Sequence, residues 1–144
     1  MGKINWIRVF LGGLIAGAVG NVFQFVAWMP LVGRSLRTTL QTYGYAMQET
    51  VSITVFKAVW IFVMGIVAVW FYAAIRPRYG AGPGTAVLAG VIAGFLMGVF
   101  PDIAWGLVLR LIPAKVWLAD AIFSMVAMVI VTVLGAWVYK EQEP

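Results

Sequence analysis

Polar side chains are scarce in this chain, so the few that fall inside its apolar stretches mark where chemistry could occur. Asn21 and Gln24 are three residues apart, a spacing that stacks them on one face of a helix. Asp102 follows Pro101 deep in a third apolar stretch, and Lys57 opens the second. An aspartate about eight residues short of Arg110 lies roughly 12 Å inside a helix end, too deep to stand alone. A basic partner is expected, with Lys57 the first choice. The cluster Asn21, Gln24, Lys57 and Asp102 then reads in one of two ways. It is a structural ion pair with interhelical hydrogen bonds, or a proton or solute site. Pro101 fits both, since a kink makes room for Asp102 or shapes a cavity.

Other chemistries are excluded by residue type. The chain has no cysteine and no histidine, which removes disulfides, thiolate nucleophiles, the commonest metal ligand and the usual axial haem ligand. The glycine cluster "YGAGPG" lacks the lysine-serine ending of a phosphate loop and reads as a turn. No catalytic residue, cofactor or metal is expected. The ten basic residues are spread over every loop, so the net charge of +5 is no nucleic-acid footprint.

The elements that carry these residues follow from composition. Of 144 residues, 63% are hydrophobic and 10% charged. A soluble domain is nearer a quarter charged. Charge is missing from Val9 to Gly33, Ala58 to Ile75, Tyr79 to Pro101 and Ala121 to Tyr139. Each run suffices to cross a hydrocarbon core of about 30 Å as a helix. No run alternates apolar and polar residues, so helices are expected rather than barrel strands. The spans predicted are about 6–32, 52–75, 85–109 and 115–140, in one membrane domain over 1–144. The first is read as a retained span rather than a signal peptide, because its uncharged run is about twice a usual signal core. All seven tryptophans fall near span ends, as an aromatic belt requires.

Between the first two spans, Leu36, Leu40, Tyr43 and Met47 recur at helical spacing, which predicts a short helix lying in the interface over 34–49. Gly44 argues against one unbroken helix there. The basic residues divide five against five between the two sides, so they do not set orientation. The compact Arg76-Pro77-Arg78 turn favours cytoplasmic termini.

Leu11–Trp28 and Leu88–Trp105, at a constant offset of 77, are identical at nine of eighteen positions. Spans 2 and 4 echo each other at Trp70/Trp137 and Tyr72/Tyr139. A two-helix unit used twice is expected, and two helices per unit make the copies parallel. The shared stripes Gly13/Gly17 and Gly90/Gly94/Gly98 permit close backbone approach, the packing that lipid-embedded helices need. They predict that spans 1 and 3 cross at these glycines.

"INWIRV" with "WMPLVG" resembles the first-span pattern of a family of small bacterial integral membrane proteins defined as a domain of unknown function. "VWFYAAIRPRYGAGPGTAVLAG" is similar to the central hairpin of related bacterial four-span proteins, and "GAWVYKE" extends the likeness into span 4. The resemblance implies a four-helix protein of the bacterial inner membrane and carries over no catalytic or ligand residue.

The fold expected is therefore an all-α transmembrane four-helix bundle of two parallel-repeat hairpins. The leading functional expectation is a non-catalytic accessory or structural subunit packing against a larger membrane complex, such as an electron-transfer or photosynthetic one. A small oligomeric transporter or channel using the polar cluster is the second, and a lipid- or hydrophobic-ligand-binding protein the third. Partners expected are membrane lipids, other membrane subunits or further copies of the chain, and no nucleic acid.

Overall fold

The computed structural model describes residues 4–45 and 49–140. Four helices account for nearly all of them: α1 (Trp6–Thr42), α2 (Val51–Tyr79), α3 (Pro83–Val108) and α4 (Ala114–Val138). Each is long and apolar enough to cross a membrane, which makes the chain an integral membrane protein.

Local sequence sets where the helices start and stop. The Asn5 side chain accepts from the Arg8 N–H to cap α1, and Thr50 caps α2 through the Ile53 N–H. Pro83 opens α3 at a position whose N–H has no helical partner anyway. At the end of α1, Gly44 adopts φ of 79° while its N–H bonds the Gln41 carbonyl and the Tyr45 N–H bonds the Leu40 carbonyl. This paired closure needs a left-handed residue just past the helix, and glycine supplies it without strain.

Three prolines sit inside spans, Pro30, Pro77 and Pro101, and the helix widens around the first and the last. Pro30 lies within a π-helical stretch, Gln24–Gly33. Pro101 stands between two more, Phe95–Val99 and Ile103–Val108. Proline donates no N–H and crowds the carbonyl a turn earlier, and a wider turn relieves both problems.

The helix over Arg34–Thr42 is not separate from the first span. It continues α1 without a break, giving 37 residues, roughly 55 Å at ordinary helical rise. Gly33 is held in right-handed helical geometry, so nothing in "VGRSLR" stops propagation. Positions 46–48 of the expected 34–49 helix lie outside the described residues.

The glycine stripes meet partners other than those expected. Gly13 faces Ile66, and Gly17 faces Phe62, both on α2; Gly65 answers against the backbone of Gly13 and Gly17. Gly90, Gly94 and Gly98 face Val129, Met125 and Ser124 of α4. Spans 1 and 3 do not cross: α1 packs on α2 and α4, α3 packs on α4 and α2, and the two stripes stand at opposite corners. The short connections bring each helix back against its chain neighbour, and the stripe is consumed within its own hairpin. The residues matched by the 77-residue offset are thus placed alike, Gly13 with Gly90 and Gly17 with Gly94. Between the hairpins, α1 and α4 close on one another where Gly12 meets Gly135.

The core lies toward the end that carries the termini. Val9, Ala16, Val69, Tyr72, Ala73, Ala86, Ala89, Val131, Ala136 and Tyr139 pack there, many of them small. Toward the other end α2 stays on α1, with Phe62 against Gly17 and Ile61 against Gly20, but parts from α3. It has no buried residue before Gly65, and Val51 is 82% exposed. It contacts α3 along Pro83–Gly94 and draws away beyond.

Candidate functional site

The space left as α2 parts from α3 is a cavity of about 250 Å³ bounded by all four helices. Its walls are mostly apolar, with Phe23, Trp60, Met64, Met97 and Met128 among them. Methionine makes such walls adaptable, because its unbranched side chain fits irregular shapes.

Polar groups converge on one edge. Gln24 and Trp28 lie one turn apart on α1, and Asp120 and Ser124 one turn apart on α4. The Trp28 indole N–H donates to Asp120 Oδ1 at 2.7 Å, and the Ser124 hydroxyl donates to the same oxygen at 3.4 Å. This pair pins α1 to α4 below the cavity. Gln24, Trp28 and Ser124 all line the space. Among the described residues no hydrogen bond engages the Gln24 amide, which leaves it available to whatever enters.

Of the expected cluster, Asn21, Gln24 and Lys57 line one narrow pocket, but the expected Lys57–Asp102 pair does not form. Lys57 donates to Glu49 Oε1 at 2.9 Å, and Arg37 reaches the same oxygen at 3.3 Å. Glu49 thereby ties the extension of α1 to the first turns of α2. Its carboxyl is held below the ordinary value of 4.5, chiefly by the Lys57 hydrogen bond. Lysine paired with the acid nearest its own helix start, where neither charge has to enter the bundle.

Asp102 is left without that partner. Its Oδ2 is buried and unbonded among the described residues. Asn21 serves packing: its amide donates to the carbonyls of Gly17, at 2.9 Å, and Ala58, at 3.3 Å, joining α1 to α2. Of the four, Gln24 alone reaches the cavity with Asn21 and Lys57 close behind in a narrow pocket of about 50 Å³.

Sequence reasoning passed over Trp28 and Asp120 as a pair. Trp28 read as a belt residue, and Asp120 was given no partner. The available signal was Asp120 six residues inside α4, too deep for the bulk interface.

No protein-family model matches the chain, and neither a curated protein nor a solved structure does. What fold and site define is a class: a four-span membrane protein with an apolar intramembrane cavity edged by a few hydrogen-bonding groups.

Proposed function

We propose that this chain is a non-catalytic membrane protein that holds a small hydrophobic molecule, or the chain of a lipid, in the cavity between its helices. One observation carries the reading. The cavity has an apolar, methionine-rich wall and a single polar edge at Gln24, Trp28 and Ser124. Ligand sites are typically built this way, apolar for affinity with a few placed polar groups for orientation. At about 250 Å³ the space suits a small amphiphile or part of an acyl chain rather than a large cofactor. A hydroxyl or carbonyl on the ligand would meet the Gln24 amide while its apolar body fills the space toward Met64 and Met97.

The other two readings find less support. An apolar outer surface is what lipid contact alone demands, so it does not favour an accessory subunit of a larger complex. A transporter or channel built on the polar cluster would have to work without a Lys57–Asp102 pair, since Lys57 bonds Glu49. Duplication of an ancestral hairpin, and kinship with the bacterial four-span family, belong to the same proposal. The like placement of the paired glycines supports the first of these.

The test is photolabelling of the purified full chain with a fatty acid carrying a diazirine on its alkyl chain. Labels are expected at Met64, Met97 and Met128, and Ala127→Phe, which fills the cavity, should abolish them. Labelling spread over lipid-facing positions such as Val26 and Val87, unchanged by Ala127→Phe, overturns the reading.

A further inference from the structure

A second apolar depression lies at the opposite end of the molecule. It is a groove of about 430 Å³ between the start of α3 and the end of α4, with Tyr72 of α2 as its floor. Pro83, Ala86, Val133, Leu134 and Trp137 form its sides. Pro83 opens α3 and Trp137 nearly closes α4, so the groove sits at headgroup depth. Trp137 is 85% exposed beside it, as an interfacial tryptophan would be.

Basic groups surround the groove. Arg78 lies just before the turn leading to Pro83, and Lys140 three residues past Trp137; both are exposed. Arg76 holds its guanidinium 5.5 Å from the centre of the Tyr139 ring, which itself meets Tyr72 edge-on at 5.9 Å. Every acidic residue described, Glu49, Asp102 and Asp120, lies at or toward the other end. Among the described residues this end carries Arg8, Arg76, Arg78 and Lys140 and no acidic side chain.

We propose that this groove is a binding site for an anionic phospholipid, one acyl chain lying along Leu134 and Trp137 and the phosphate facing Arg78 and Lys140. Charge complementarity selects this occupant. The excess of positive charge repels a second copy docked through the same end, whereas an anionic headgroup neutralises it. The apolar floor needs a chain attached to that headgroup, which free phosphate does not provide. The site is separate from the cavity between the helices and does not depend on its occupant.

The full chain in bicelles of equal phosphatidylglycerol and phosphatidylcholine, transferred to native mass spectrometry, tests this. The wild type should retain phosphatidylglycerol over phosphatidylcholine. Arg78→Gln with Lys140→Gln should reduce that preference by about fivefold per side chain removed. Leu134→Trp, which fills the groove, should reduce retention of both lipids. Equal retention of the two lipids by the wild type overturns the proposal. So does undiminished phosphatidylglycerol on either variant. Should Leu134→Trp not fold, phosphatidylglycerol with a photoreactive acyl chain settles the matter on the wild type: crosslinks belong in Pro83–Ala86 and Val133–Trp137, and crosslinks confined elsewhere refute the site.

Discussion

Gly65→Ala offers the sharpest test of how this bundle is held together. A methyl group built at Gly65 would stand 2.7 Å from the Gly13 carbonyl oxygen and 2.7 Å from the Gly17 nitrogen. Ordinary contact begins at 3.4 Å, so the methyl is about 0.7 Å too close to each. Both are backbone atoms of α1, which no rotamer change can move. The helices must separate, and a gap of that size forfeits roughly a quarter to a half of each dispersion contact along the seam. Overpacking of this kind costs about 1–3 kcal/mol. Alanine returns up to about 1 kcal/mol through its better helix propensity. A net loss of roughly 1–2 kcal/mol remains, a fall of about 2–8 °C in Tm at the roughly 2–4 °C per kcal/mol of soluble domains near this size. The control is Gly84→Ala, where nothing lies within 4 Å of the added methyl and helix propensity should act alone. Thermal unfolding in one detergent, followed by circular dichroism, compares the two. Equal or greater stability of Gly65→Ala relative to Gly84→Ala would show that α1 and α2 do not approach at these glycines.

Trp28→Phe removes the hydrogen bond to Asp120 and leaves a half-buried carboxylate with Ser124 alone, at a cost of about 1.5–3 kcal/mol in the same unfolding assay. Asp102→Asn replaces a carboxyl whose buried Oδ2 has no hydrogen-bond partner among the described residues, so its Tm should equal or exceed that of the wild type. Gln24→Leu should leave binding of a simple alkane probe unchanged while weakening an alcohol of the same length by roughly two- to tenfold, measured by competition with the photolabel. The Glu49 bridge should depend on acid: with its carboxyl held below 4.5, it stabilises the protein above that pH and loses this contribution as pH falls through the lower folded value. Crosslinking between cysteines placed at Thr38 and Ser52 should therefore decline on acidification in the wild type, and be low at every pH in Glu49→Gln.

The positions of the helices were legible because the bilayer imposes them on composition. An uncharged run long enough to cross hydrocarbon has few stable alternatives to a helix, and α2, α3 and α4 start and end within four residues of the spans predicted from these runs. Capping was local as well: Asn5, Gly44, Thr50 and Pro83 act within a turn of themselves. The end of α1 was missed because Arg34 and Arg37 ended the uncharged run, while a helix ends only where its backbone pairing does.

Partner choice was decided by tertiary structure. A glycine stripe declares that some backbone will approach, yet Gly13 and Gly17 carry no mark of whether that backbone is α2 or α3. Lys57 could have reached Asp102 from its end of the membrane, but Glu49 offered a pair in which both side chains stay partly exposed, so little desolvation cost arises. The cavity existed in no local pattern, since it depends on where α2 parts from α3. What the sequence by itself determined was which segments cross the membrane, because hydrophobic transfer is a property of each segment alone. Which faces meet, and what space remains between them, depends on several helices at once, and so belonged to the folded bundle.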